Sequence, residues 1–132
     1  MQIKKLTPNL IVKNVEASLK FYGEVLGLGT GMTVPEKAPF VFGSATNATV
    51  ELFFNDQKVV GAEYRKLAER IGASMTLYME VDSLDAVLDR VKQAGASISM
   101  PVTEQFYGMK EFAFEDIDGY TITIAERMAA GS

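Results

Sequence analysis

A single carboxylate stands inside a segment that otherwise has the pattern of a half-buried strand. In residues 49–56, TVELFFND, the apolar side chains of Val50, Leu52 and Phe54 alternate with Thr49, Glu51 and Phe53. Alternation with a period of two is typical of a strand with one buried face, and a charged group near that face is costly unless it is paired. We therefore consider Glu51 as a metal ligand, as a partner for a cationic ligand, or as an edge residue that reaches water.

The sequence contains no His and no Cys, which removes several kinds of active site. Without His, the commonest general base and the commonest neutral metal ligand are absent. Without Cys, thiolate nucleophiles and thiolate metal sites are excluded. Any metal would be held by oxygen ligands alone, which suit Mg²⁺, Mn²⁺ or Ca²⁺ better than Zn²⁺.

Length, charge and hydropathy predict one globular domain. The chain has 132 residues, of which 48% are hydrophobic, and its formal net charge is −4. Nucleic-acid binding normally needs a clustered basic face, which this balance disfavours. No apolar run approaches the ~20 residues of a membrane span, and the first residues lack the pattern of a signal peptide. We therefore expect a cytoplasmic protein that binds neither nucleic acid nor a membrane.

The chain contains an internal repeat. The segment VKNVEASL, residues 12–19, aligns with VDSLDAVL, residues 81–88. In each copy a capping residue, Asn14 or Ser83, precedes amphipathic helical spacing, and each helix ends near a glycine. The later segments FVFGSATNATVEL and FAFEDIDGYTITI also align. The same order of elements is therefore expected twice.

Each copy predicts a strand, a helix and three further strands. Strands are expected near 3–13, 29–34, 38–44 and 48–55 with a helix near 15–26, and near 74–82, 97–103, 109–115 and 120–127 with a helix near 84–94. A connecting helix is expected near 59–72. We predict a single domain, residues 1–132, made of two repeats, about 1–55 and 74–127, whose strands share one sheet system.

One face of each predicted strand is apolar, and the other is mixed. The mixed faces carry hydroxyl, amide, carboxylate and aromatic groups: Thr7, Asn9, Glu51, Phe53, Thr76, Tyr78 and Thr123. These faces either meet water, as one side of many antiparallel sheets does, or line a small-molecule pocket. Tyr107 and Glu111, in the segment FYGMKEF, are candidates for the rim of that pocket.

Two segments resemble the vicinal oxygen chelate superfamily, also called the glyoxalase, bleomycin-resistance and dioxygenase superfamily. They are LIVKNVEASLKFYGEVLGLG, residues 10–29, and KEFAFEDIDGYTITIAE, residues 110–126, with its D-x-D-G-Y turn. The resemblance implies an α+β fold, in which two βαβββ modules form a cupped mixed sheet around a central cavity. It also implies a homodimer, because members of the superfamily commonly complete the cup across two chains.

The resemblance further implies metal-ligand positions that this chain has largely lost. Enzymes of the superfamily commonly bind a divalent metal through His and Glu side chains on the inner face, and the matching positions here are Thr7, Glu51, Thr76 and Thr123. One carboxylate and three hydroxyls offer little negative charge to offset the dehydration of a divalent ion. We therefore expect no metal and no other cofactor.

Three functions are compatible with these residues. The first, which we favour, is a metal-free small-molecule binding protein like the bleomycin-resistance branch, which confers antibiotic resistance by sequestering a cationic or aromatic compound. The second is a lyase, isomerase or dioxygenase of the same superfamily with an altered site, where Glu51 is a lone general base. The third is a scaffold that has lost its site. The expected ligand contacts are Glu51, Thr7, Asn9, Phe53, Thr76, Tyr78, Thr123, Tyr107 and Glu111.

Overall fold

The structure, a computed structural model, describes residues 1–61, 63–72 and 74–129. The chain divides into two units, Met1–Ile71 and Gly72–Ser132. Each unit contains a strand, a helix and three further strands in that order. The predicted α+β class and the two βαβββ modules are therefore confirmed.

The first unit forms a four-stranded sheet with the order β1-β4-β3-β2. Its elements are β1 (Asn9–Val12), α1 (Val15–Leu26), β2 (Gly29–Val34), β3 (Phe42–Thr46), β4 (Glu51–Asp56), α2 (Gln57–Val60) and α3 (Arg65–Glu69). The first strand pairs in parallel with β4, and the other two pairs are antiparallel. The predicted first strand is too long, because pairing with β4 begins only at Asn9. The region of the predicted connecting helix holds two short helices.

The second unit forms a four-stranded sheet with the order β5-β8-β7-β6. Its elements are β5 (Thr76–Glu80), α4 (Leu84–Gln93), β6 (Ile98–Glu104), β7 (Met109–Glu115) and β8 (Thr121–Arg127). Among the described residues, backbone hydrogen bonds join the strands into two separate sheets, so the expectation of one shared sheet system is wrong. The reason is that every strand finds its partners within its own unit.

Both long helices begin at the predicted caps. The Asn14 side-chain oxygen accepts the Ala17 N–H at 2.9 Å, and Ser83 Oγ accepts the Ala86 N–H at 3.2 Å. Each bond satisfies one of the N–H groups that a helix N-terminus leaves without an intrahelical partner. The first helix ends at Gly27, whose φ of 70° is the left-handed conformation that glycine adopts without a steric penalty.

The first helix packs on the apolar face of its sheet. The ring of Tyr22 on α1 lies 5.0 Å from the ring of the fully buried Phe54 on β4. The helix approaches β3 so closely that a Cβ atom on Gly43 would lie 2.9 Å from Val15 Cγ1. Phe53, on the opposite face of β4, is only half-buried. The predicted alternation along this strand is confirmed.

The mixed face of the first sheet is partly covered by the connecting segment. Ile11 lies two residues after Asn9 on β1 and therefore on the same face. It packs in a cluster with Val60, Ala68 and Ile71. Apolar burial of this kind stabilises the short helices, which are too short to persist alone. None of the helices in the described part of the chain is long and apolar enough to cross a membrane.

Candidate functional site

The polar face of the second sheet carries a buried carboxylate. Glu111 on β7 is only 3% exposed. Tyr107, in the turn between β6 and β7, donates its hydroxyl to both carboxylate oxygens at 2.8 Å. Tyr78 on β5 donates its hydroxyl to Oε2 of the same carboxylate. Two phenol groups therefore satisfy the acceptor atoms of Glu111.

Strand register explains how Tyr78 reaches Glu111 from a strand that is not its neighbour. In the sheet, β8 lies between β5 and β7. Tyr78 stands opposite Thr123 on β8, and Glu111 stands opposite Ala125, the next residue of β8 on the same face. Since Thr123 and Ala125 are small, the long side chain of Tyr78 can cross β8 diagonally.

The carboxylate also controls the ionisation of both phenols. The pKa of Tyr78 is raised to about 12, first by its hydrogen bond to Glu111 and then by desolvation and by the negative charge of that carboxylate. The hydrogen bond that Tyr107 itself donates to Glu111 is the first cause that raises the pKa of Tyr107. Both hydroxyl groups therefore stay protonated and remain donors across the neutral pH range.

Glu111 has hydrogen-bond donors but, within the described part of the chain, no cationic partner. Among residues 1–61, 63–72 and 74–129, the ion pairs involve other carboxylates. The side chains that donate to Glu111 are aromatic instead. Tyr78 and Tyr107 are about half-exposed, and the ring of Phe106, which is 98% exposed, lies 5.2 Å from the ring of Tyr107. The site is thus a buried negative charge bordered by accessible aromatic rings.

Two threonines of the second unit bond to each other. The Oγ1 atoms of Thr76 and Thr123 lie 2.7 Å apart, and either hydroxyl can be the donor. Thr76 is exposed, whereas Thr123 is buried. This pair fixes the orientation of two hydroxyls that the sequence placed on the mixed face.

Glu51 of the first unit has a partner within the chain. Lys5 Nζ lies 2.5 Å from Glu51 Oε1, with the two side chains 61% and 27% exposed, respectively. A pocket of about 230 Å³ adjoins the pair and is lined by Lys5, Leu6, Glu51 and the turn from Thr46 to Val50. The cation that Glu51 meets in this structure is therefore the ammonium group of Lys5.

The remaining predicted residues of the first unit form a less polar surface. Asn9 is the register partner of Phe53. Asn55 Nδ2 donates to Asn9 Oδ1 at 2.6 Å, and the ring of Phe53 lies 5.1 Å from the ring of Phe42. Thr7 is half-buried and precedes β1. These side chains give the surface a hydroxyl, an amide and an aromatic ring, and none of them is charged.

The predicted site residues thus occupy two groups, one in each unit. The group of the first unit is Thr7, Asn9, Glu51 and Phe53, and the group of the second is Thr76, Tyr78, Tyr107, Glu111 and Thr123. Sequence reasoning missed two residues. Lys5 gives no local signal, because it is 46 residues away from Glu51. Phe106 does have a local signal in the sequence. It stands beside Tyr107 in a segment that ends at Gly108, which is typical of a turn, and turns lie at the surface.

The residues at the four expected metal-ligand positions do not fit a divalent ion. Glu51 Oε1 already binds the Lys5 ammonium, and the hydroxyls of Thr76 and Thr123 are used in bonding to each other. Divalent ions that prefer oxygen need several carboxylate or carbonyl ligands. In the described part of the chain, no three His, Cys, Asp or Glu side chains cluster in a way that would hold a metal.

The fold and the family comparison agree. A family model described as the Glyoxalase/Bleomycin resistance protein/Dioxygenase superfamily matches residues 3–124. The chain therefore belongs to this superfamily, as its sequence resemblance predicted. Among curated proteins, none matches the sequence significantly.

Solved structures share the fold at low sequence identity. TioX from Micromonospora sp. ML1 is 13% identical with a TM-score of 0.76, and the match covers 96% of this chain and 100% of that chain. A family enzyme from Burkholderia phytofirmans PsJN is 18% identical with a TM-score of 0.78, covering 92% and 97%. FosX, a fosfomycin resistance protein from Listeria monocytogenes, is 13% identical with a TM-score of 0.72, covering 96% and 94%. At these identities the likeness shows the fold alone.

Proposed function

We propose that this protein is a metal-free binding protein that sequesters a small organic cation. The observation that carries the proposal is Glu111, a buried carboxylate that is hydrogen-bonded by neutral phenols and has no cationic partner in the described part of the chain. A buried negative charge without a counter-ion is costly, and a cationic ligand offsets that cost. The formal net charge of −4 also helps to attract a cation.

In this proposal the negative charge that attracts the ligand is that of Glu111, not that of Glu51. Glu51 was expected to attract the cation, but the Lys5 ammonium already lies 2.5 Å from its carboxylate. A ligand cation at Glu51 would have to displace an ammonium held in the same chain. Among the residues that the structure describes, no cation is paired with Glu111 in this way. We retain the neutral contacts of each unit separately: Thr76, Tyr78, Tyr107 and Thr123 with Glu111 in the second unit, and Thr7, Asn9 and Phe53 in the first.

A resistance-type role is part of the proposal. FosX, which shares the fold, is named as a fosfomycin resistance protein. Sequestration fits this chain better than catalysis, because the positions where metal ligands are expected hold a paired carboxylate and hydroxyls. We further propose that the protein is a homodimer, as the family resemblance implies, and that it is located in the cytoplasm.

Calorimetry with three probes of similar size tests the proposed function. Benzylamine and benzyltrimethylammonium carry a positive charge, whereas benzyl alcohol is neutral. We expect the wild type to bind one or both of the cations at least about tenfold more tightly than the alcohol, because the neutral alcohol lacks the attraction between opposite charges at Glu111.

Variants at two glutamates of the same strand complete the test. Glu111→Gln should weaken cation binding about tenfold. Glu115→Gln, at the exposed end of β7, is the matched control and should leave the affinity unchanged. If neither cation binds, or if both variants behave like the wild type, the proposal is refuted.

A further inference from the structure

The Glu111 carboxylate has little room for direct contact with a ligand. Only 3% of the residue is exposed, and both of its oxygens accept hydroxyl groups from tyrosine. A primary ammonium group that formed a salt bridge would have to displace one of these phenols. The negative charge is therefore better suited to act on a ligand from behind the tyrosine rings.

The surface that a ligand meets at this site is aromatic. The rings of Phe106 and Tyr107 are 5.2 Å apart and nearly perpendicular, at 82°. Tyr107 and Tyr78 converge through their hydroxyls on Glu111 Oε2. Phe106 is 98% exposed, so the aromatic ring next to Tyr107 is available for contact. A hydroxyl that donates to a carboxylate also polarises its ring toward negative charge, which strengthens the attraction of a cation to the ring face.

We infer that Tyr78, Phe106 and Tyr107 form an aromatic cage for an alkylated ammonium group, with Glu111 supplying negative charge behind the rings. This inference rests on the proposed function and names the class of cation that the site takes. A quaternary ammonium has no N–H group, so it does not compete for the oxygens of Glu111. Cation–π contact with several aromatic rings is the usual means by which proteins recognise such a group.

The cage makes a prediction that a direct salt bridge does not. Benzyltrimethylammonium should bind the wild type about tenfold more tightly than benzylamine, because the quaternary group has more contact with ring faces. A direct salt bridge to Glu111 would favour benzylamine, which can donate hydrogen bonds to a carboxylate. Both affinities are measured by calorimetry on the full chain.

Variants of Phe106 separate ring contact from a general effect on the fold. Phe106→Ala should weaken the binding of benzyltrimethylammonium about fivefold. Phe106→Trp should keep or increase the wild-type affinity, since Trp is the strongest cation–π partner. Ile117→Ala is the matched control, because Ile117 is also exposed but lies beyond the opposite end of β7. It should leave the affinity unchanged.

The outcomes distinguish the cage from the proposed function. The cage is overturned if benzylamine binds as tightly as the quaternary probe, or if Phe106→Ala keeps the full affinity. In either case, a loss of affinity in Glu111→Gln still supports the proposed cation site. If neither probe binds, the proposed function and the cage fall together. If Phe106→Ala changes the mass measured by light scattering and not the affinity, Phe106 belongs to an interface between copies, and the cage is also overturned.

Discussion

Substituting Glu111 by Gln keeps the shape of the side chain and removes its negative charge. In the wild type this carboxylate accepts hydroxyl groups from Tyr78 and Tyr107. The amide oxygen of Gln can accept the same groups but holds them more weakly. We expect the variant to fold, because the volume is retained and a buried charge is removed.

The expected change in stability is small. A hydrogen bond to a charged acceptor contributes roughly 1.5–3 kcal/mol, and one between neutral groups roughly 0.5–1.5 kcal/mol. The exchange weakens the bonds from two phenols and therefore costs about 2 kcal/mol, and relief of charge burial offsets part of that cost. We expect urea denaturation to show a free energy of unfolding that is lower by about 2 kcal/mol or less.

The clearest effect is on the titration of Tyr78. Its pKa is about 12 in the wild type, above the ordinary value of 10.0, because the phenol donates to the Glu111 carboxylate. A raised pKa means that the folded state favours the neutral phenol. The associated stabilisation is complete below the unfolded value near pH 10 and is lost as the pH rises toward 12. In Glu111→Gln the pKa of Tyr78 should fall toward 10.0.

Phenolate absorbance, measured as the pH rises, provides the assay. The chain has five tyrosines, so a Tyr78→Phe variant is needed to identify the transition that belongs to Tyr78. We expect a late component in the wild type that is missing in Tyr78→Phe and shifted to lower pH in Glu111→Gln. The same titration curve in wild type and Glu111→Gln would refute the reasoning, because the carboxylate would then not control the phenol.

Four further predictions follow from other parts of the molecule. Light scattering at micromolar concentration should give about twice the 14.4 kDa of one chain, and a monomer mass that persists on concentration would contradict the homodimer. Elemental analysis of purified protein should find no stoichiometric Zn, Ni or Fe, since the expected ligand positions offer one carboxylate that is already paired; one tightly held metal per chain would overturn this. Glu51→Gln should change the free energy of unfolding by less than ~1 kcal/mol, because its ion pair with Lys5 is exposed, and a larger loss in denaturant would show a structural role. Gly43→Ala should destabilise the fold by ~1–3 kcal/mol, because its Cβ would lie 2.9 Å from Val15 Cγ1; an unchanged melting curve would argue against this packing.

Local sequence signals predicted the individual elements closely. The helix at Val15–Leu26 and the strands at Gly29–Val34 and Met109–Glu115 have the predicted bounds. The predicted turn around Asp118 is present, with Gly119 at a φ of 87°. Caps, glycines and apolar alternation act over a few residues, so the sequence alone is enough to identify them.

Longer-range pairing accounts for the elements that were predicted less well. The first strand was expected from residue 3, but its ladder begins at Asn9, where β4 supplies a partner. The connecting segment was expected as one helix and forms two, α2 and α3, whose buried side chains pack against Ile11. In both cases the outcome depends on a contact with a distant part of the chain.

The sequence by itself determined the order of the elements, the two modules, the superfamily and which side chains share a strand face. Only the tertiary structure decided which polar side chains meet. Lys5 is 46 residues from Glu51, and Tyr78 is 33 residues from Glu111. Whether two such groups pair depends on strand register, on small residues that let a side chain cross the sheet, and on the desolvation that burial imposes. None of these is encoded in a short segment. The sequence therefore named Glu51 as the main carboxylate, whereas in the structure Glu51 is paired with Lys5, and the buried Glu111 has no cationic partner among the described residues.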